Sequence, residues 1–181
     1  MNRFVIAEPS KCIGCRTCEV ACAMAHPTDE GAALTPQNFS PRLTVVRCGT
    51  VTTAIMCRQC DDAPCAKACP VNAIVFAQDS VQVVQSRCIG CKSCVVACPY
   101  GAMNVVSVSA PAQPPTFFGL RQAKSEAQKC DLCVSREEGQ ACIAACPTKA
   151  LKLVDQTVIV STLQRRREQA AQSLDTRAPQ L

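Results

Sequence analysis

The stretch CRQCDDAPCAKACP at 57–70, followed closely by CIGCKSCVVACP at 88–99, decides how this chain folds. Cys88, Cys91, Cys94 and Cys98, with Pro99 behind them, have the spacing C-x2-C-x2-C-x3-C-P. Such a run gives three thiolates to one 4Fe-4S cubane and sends its last cysteine to a neighbouring cubane. Cys57, Cys60, Cys65 and Cys69, with Pro70, follow the same plan, with four residues instead of two between the second and third cysteines. The insertion leaves the ligand count intact. The two runs together predict one cluster on Cys57, Cys60, Cys65 and Cys98, and another on Cys88, Cys91, Cys94 and Cys69.

Two more runs flank this pair. Cys12, Cys15, Cys18 and Cys22 repeat C-x2-C-x2-C-x3-C, with Ala23 where a proline would stand. Cys130, Cys133, Cys142 and Cys146 are spaced C-x2-C-x8-C-x3-C-P around the polar loop VSREEGQA. Four quartets predict four 4Fe-4S clusters, since each cubane takes four thiolates. The inner motifs are adjacent in sequence and pair with each other, so the outer two are expected to pair across the chain ends. That puts Cys12, Cys15 and Cys18 with Cys146, and Cys130, Cys133 and Cys142 with Cys22. Spacing alone also admits a consecutive pairing, first with second and third with fourth, which ranks lower. Zinc uses C-x2-C pairs as well. Zinc sites usually present two such halves, however, whereas three close cysteines and a distant fourth match a cubane. Cys48 lies outside every motif and reads as a small buried hydrophobe.

Composition points the same way. The 181 residues include 17 cysteines and no tryptophan, and aromatic residues make up 3%. The usual bulky core is missing, so the interior is expected to form around clusters whose binding supplies folding free energy. The metal-free chain should then be largely unfolded. A disulfide scaffold would suit a short secreted chain, but NRFVIAEPSKC after Met1 has no apolar signal segment, cleavage site or twin-arginine pair. No run approaches the roughly 20 apolar residues needed to span a bilayer. The expectation is a cytoplasmic protein without a transmembrane segment. The formal charge of +5 counts every thiol as neutral. With about two negative charges per oxidised cluster and its thiolates, the loaded protein comes to about −3, so the basic balance is no sign of a nucleic-acid partner.

Along the chain, NRFVIA at 2–7 reads as a strand, and TCEVACAMAH as a helix that runs through His26 because no proline stops it. PTDEGAALTPQNFSP at 27–41 is a loop, followed by strands RLTVVRC at 42–48 and TVTTAIM at 50–56 joined tightly at Gly49. CPVNAIVF at 69–76, CPYGAMNVV at 98–106 and CPTKALKLV at 146–154 form an internal repeat of cysteine loop, short helix and strand. VFAQDSVQVV adds a hairpin with Asp79-Ser80 near its tip. Residues 109–116 read as an extended Pro-rich linker, with Phe117 and Phe118 behind it as local core. The polar tail at 161–181 suggests a helix around Arg165–Arg167 that soon frays. Arg16, Arg58, Lys92 and Lys149 lie in or beside ligand loops, where they either favour the reduced clusters or are ordinary surface charge. His26, the only histidine, reads as a helix-end cap in preference to a cluster neighbour. No G-x-G-x-x-G, P-loop or dense set of acids, bases and nucleophiles stands apart from the cysteines. The chain is therefore expected to move electrons and to perform no substrate chemistry.

MNRFVIA, KCIGCRTCEVAC, CRQCDDAPCAKACPVNAI, RCIGCKSCVVACPYGAM, and KCDLC with CIAACPTKAL together resemble a known group. It is the four-cluster ferredoxin-like iron–sulfur subunits associated with formate dehydrogenase H and formate hydrogenlyase, and especially the small electron-transport proteins of that system. The resemblance covers nearly the whole chain apart from the Pro-rich linker and the tail. It implies an α+β fold of two pseudo-symmetric bacterial 2×4Fe-4S ferredoxin-like modules in one chain. The outer module would comprise 1–56 plus 107–160, and the inner one 57–106, leaving 161–181 as the tail. It also implies a donor, the molybdopterin formate dehydrogenase catalytic subunit, and an acceptor, a hydrogenase or another iron–sulfur protein. Two alternatives remain: an electron-transfer subunit of another molybdopterin oxidoreductase, and an accessory protein for maturation of the hydrogenase or formate dehydrogenase. Self-association is left open.

Overall fold

In the computed structural model, residues 2–28, 33–109 and 123–175 are described. Of the Pro-rich linker at 109–116 only Ser109 is among them, and Phe117 and Phe118 lie outside. Strand β1 (Phe4–Ala7) delivers the chain to the first cysteine motif, and helix α1 (Thr17–Ala25) carries Cys18 and Cys22. The helices of the later motifs are half as long: α2 (Pro64–Lys67), α3 (Ser93–Ala97) and α4 (Ala141–Ala144). The difference traces to one position. A proline directly follows the last cysteine of each later motif and cannot continue a helix, whereas Ala23 lets α1 run on to its C-cap at His26.

Among the described residues each strand has one antiparallel partner. β2 (Leu43–Cys48) and β3 (Val51–Met56) form a hairpin that turns at Gly49, φ +58°. β4 (Ile74–Ala77) and β5 (Ser80–Val83) form a second, whose tip is Gln78-Asp79. Both tip residues have φ +53°, as a type I′ turn requires. Ser80 pairs with Ala77 and so belongs to β5, one residue earlier than expected. β6 (Asn104–Ser109) pairs with β7 (Ala123–Gln128). β1 pairs with β8 (Leu151–Val154), joining the two ends of the cysteine-rich chain.

Two cores result. The first gathers Val5, Leu43, Val45, Met56, Leu132 and Leu151 around Cys18, Cys22, Cys57, Cys130 and Cys142. The second gathers Ala63, Ile74, Val81, Met103 and Ala127 around Cys65 and Cys94. Ala127 of β7 belongs to the second core, and β6 runs across position 106/107. β7 itself, AKSEAQ, has no β-branched residue to announce it and owes its form to pairing with β6.

Two other expectations are corrected. Cys48 is exposed, not buried. Leu43 and Val45 face the core on alternate positions of β2, and Cys48 falls on the opposite face beside the turn, where its partner Val51 is exposed too. The tail is also more regular than its polarity suggests. Helix α5 runs from Gln156 to Asp175, beginning well before Arg165. Asp155 caps it, its Oδ1 accepting the Val158 N–H at 2.9 Å and the Thr157 hydroxyl at 2.6 Å. Among the described residues no helix is long and apolar enough to cross a membrane.

Candidate metal centres

Four cysteine groups stand out. A small cavity is lined by Cys12, Cys15, Cys18 and Cys146. A second is lined by Cys57, Cys60, Cys65 and Cys98, and a third by Cys69, Cys88, Cys91 and Cys94. The fourth group, Cys22, Cys130, Cys133 and Cys142, is the most enclosed, with every member buried. Burial pushes the Cys142 thiol far up, and the neighbouring Cys130, Cys22 and Cys133 add to it. Four soft thiols around an apolar space, with no carboxylate or imidazole in the walls of the three cavities, is a donor set that fits an iron–sulfur cubane.

The loops owe their shape to backbone conformation. The third position of the first C-x-x-C in each motif is left-handed: Gly14 at φ +72°, Gln59 at +50°, Gly90 at +68° and Leu132 at +62°. That turn brings successive N–H groups to one side, forming a concavity suited to anions. For a non-glycine residue the conformation costs about 1–2 kcal/mol. Gln59 and Leu132 are held there by packing, each only 2% exposed.

A second left-handed position follows each Cys-Pro, at Asn72, Gly101 and Lys149. The alanine after it then donates its N–H back to the cysteine: Ala73 to Cys69 Sγ at 3.2 Å, Ala102 to Cys98 Sγ at 3.4 Å, Ala150 to Cys146 Sγ at 3.3 Å. The recurrent Cys-Pro-x-x-Ala phrase is thus a hydrogen-bond device as well as a turn. The first motif has no such proline, and Cys22 Sγ takes its N–H from Arg42 instead, at 3.3 Å. Bonds of this kind favour negative charge on sulfur.

Exposure separates the groups. Cys15 and Cys91 are exposed, and the hydroxyls of Thr17 and Ser93 hold their thiols below the usual range. Burial instead pushes Cys65 and Cys22 up to about 11 and Cys130 up to about 12. The groups also form a series. Cys18 of the first group acts electrostatically on Cys142 of the enclosed group. Cys57 acts likewise on Cys130 of that group, and α2 packs on α3 to bring the remaining group next in line.

The charged residues singled out from sequence are not those the interior uses. Arg16, Lys92 and Lys149 are exposed, and Arg58 lies 6.0 Å over the Tyr100 ring. His26 is no simple helix cap: its Nε2 is 3.4 Å from Cys133 Sγ and 3.4 Å from Asp131 Oδ1, and Arg42 meets Asp131 at 2.5 Å. Burial lowers the His26 pKa, and the Arg42 charge lowers it further. Sequence reasoning missed Glu19, Gln59 and Lys129, all buried. Glu19 accepts the Val45 N–H at 2.6 Å and so fixes α1 on β2. A lysine precedes Cys12 as well as Cys130, so its position in the motif gives no sign that one is exposed and the other buried.

Known proteins resemble this chain in sequence. A family described as 4Fe-4S dicluster domain matches residues 56–102 and 87–150, and a 4Fe-4S binding domain matches 9–25. The chain is 54% identical over 170 residues to the electron transport protein HydN of Escherichia coli K12, covering 92% of this chain and 97% of that one. It is 53% identical to the putative electron transport protein YsaA of the same strain, over 86% of this chain and 91% of the other. It is 40% identical to hydrogenase-4 component A of that strain, over 85% of this chain and 83% of the other.

Proposed function

Because the chain belongs to the 4Fe-4S dicluster family of iron–sulfur electron-transport proteins, and its part in oxidoreduction is to transfer electrons rather than to catalyse substrate chemistry, we propose that it is a four-cluster wire of two pseudo-symmetric ferredoxin-like modules. The observation that carries this reading is the gathering of sixteen cysteines into four quartets, one of them wholly enclosed and two with an exposed cysteine. Cys12, Cys15, Cys18 and Cys146 would hold one cluster, and Cys22, Cys130, Cys133 and Cys142 the next. Cys57, Cys60, Cys65 and Cys98 would hold the third, and Cys69, Cys88, Cys91 and Cys94 the last. Each cubane when bound exchanges single electrons. The protein's own contribution is to keep neighbouring quartets close, to direct N–H groups at the sulfurs, and to keep water from the middle of the series. The second core, around Cys65 and Cys94, supports an inner module that also takes in Ala127 of β7.

The electrons would enter and leave at the two end groups, where Cys15 and Cys91 reach the surface. The partners proposed are a molybdopterin formate dehydrogenase catalytic subunit and a hydrogenase, in a reducing cytoplasm that keeps the thiols available. The resemblance of the motifs to formate-linked subunits supports the first, and the similarity to hydrogenase-4 component A supports the second. The test is anaerobic affinity purification at native expression, with metal analysis and mass spectrometry of copurifying subunits. About 16 iron per chain together with a molybdopterin formate dehydrogenase is the expected result. Zinc in place of iron, or about 8 iron per chain, overturns the four-cluster wire, and a different molybdopterin enzyme overturns the formate assignment.

A further inference from the structure

Lys129 is 3% exposed and is the only buried cation among the described residues. Its Nζ donates to Gln59 Oε1 at 3.1 Å and to the Cys130 carbonyl at 2.8 Å, both neutral acceptors. Among the described residues no carboxylate pairs with it. One side of it borders a polar cavity that Arg42, Gln82 and Asp131 also line. An ammonium enclosed in this way is strongly unfavourable unless an anion lies nearby.

Asp131 lines the same cavity but is already paired with Arg42, so the anions left to Lys129 are sulfurs. Lys129 acts electrostatically on the thiols of both Cys65 and Cys130, drawing them down against the burial that raises them. These two cysteines belong to different quartets, the two in the middle of the series. Gln59 ties the same junction together: its Nε2 donates to the Cys130 carbonyl at 2.7 Å, and its Oε1 accepts the Val81 N–H at 2.9 Å as well as Lys129. Gln59 sits in the cysteine loop of one middle quartet, and Lys129 immediately precedes Cys130 of the other. The cation is therefore built into the seam between them. The cations beside the outer quartets, Arg16 and Lys92, are exposed instead, where water screens them.

We propose that Lys129 is the buried counter-charge shared by the two middle clusters, offsetting their removal from water so that an added electron is tolerated at the centre of the molecule. Reduction makes a cluster more negative, and burial disfavours that charge. A fixed positive charge in the seam favours the reduced form of both clusters at once. This inference rests on the four-cluster reading. It concerns a positioning residue, since Lys129 acts on the clusters through its charge and not as a ligand.

The test is an anaerobic redox titration of the loaded protein followed by electron paramagnetic resonance, for the unaltered chain, Lys129→Met and Lys129→Arg. Methionine matches the lysine stem without its charge, and arginine keeps the charge. In Lys129→Met two of the four clusters are expected to become harder to reduce. Their reduced-to-oxidised ratio at fixed potential should fall about tenfold, a shift of about 59 mV for a one-electron couple, while the other two move much less. Lys129→Arg should recover most of the loss. If Lys129→Met does not load, Lys129→Gln removes the charge while keeping a hydrogen-bond donor, and the same two clusters should shift the same way. Unchanged potentials, or equal shifts in all four clusters, at full iron content overturn the role of Lys129. An unaltered protein with fewer than about 16 iron per chain overturns the four-cluster premise instead, so the two failures are distinguishable.

Discussion

At the scale of single residues, the ligand loops depend on positions where a side chain does not fit. Gly90 has φ +68°, and a Cβ there would lie 2.5 Å from Ser125 Cβ and 3.0 Å from its carbonyl oxygen, against the backbone of β7. Gly14 has φ +72°, but its Cβ would meet only the Thr52 methyl at 2.8 Å, which can rotate aside. Gly49, φ +58°, would meet nothing within 4 Å. All three alanine variants incur left-handed strain of about 1–3 kcal/mol, so steric contact decides the ranking. Thermal unfolding of the loaded protein should show Gly90→Ala as the most damaging and Gly49→Ala as the least, with Gly14→Ala between. Cys48 offers a second prediction at this scale. It is the exposed cysteine outside the four quartets, so alkylation of the loaded, anaerobic protein should modify Cys48 alone. Cys48→Ala should abolish that labelling and leave the iron content unchanged.

At the scale of elements, the anomaly is α1, whose nine residues depend on the missing proline. Ala23 is 2% exposed, and proline there would remove an interior N–H and press on the preceding turn, costing about 3 kcal/mol. Ala23→Pro should restore the usual motif yet harm this protein, because α1 also carries Glu19, which holds the Val45 amide of β2. The expected outcome is a lower unfolding temperature and early loss of about 4 iron, from the group that includes Cys22. By contrast, α5 presents mostly exposed residues, and a chain ending at Asp155 should keep its full iron content. The C-x-x-C loops and the Cys-Pro-x-x-Ala repeat are legible in the sequence because their geometry is local, set by a few residues, whereas the fourth cysteine of each group comes from a distant run. Lys129 meets Gln59 across 70 positions and His26 meets Cys133 across 107, and no local pattern announces either contact. The start of α5 was legible in principle, from Asp155 at the N-cap, but the polar run after it drew attention to Arg165–Arg167 instead.

At the scale of the whole molecule, the described strands form four separate two-stranded sheets. A lone two-stranded hairpin is marginally stable in water at best. Nor do the cores compensate, since five of the twelve buried residues in the first are cysteines of the quartets. What joins the hairpins is the set of cysteine loops between them, so the clusters would serve as the common core. Removing iron with a chelator under anaerobic, reducing conditions should therefore abolish the cooperative unfolding transition and most of the far-ultraviolet circular dichroism. Retention of both would show that the hairpins hold together without metal. Acid should help the chelator. In the fold without metal, burial raises Cys22 and Cys65 to about 11 and Cys130 to about 12, above the ordinary thiol value of 9.0. Below pH 9.0 these thiols are neutral whether the metal-free chain is folded or unfolded. Ligation requires the thiolate, so metal uptake releases these protons and weakens as pH falls. Iron loss should then accelerate with decreasing pH at fixed chelator concentration, and a loss rate independent of pH would show that thiol protonation does not drive release.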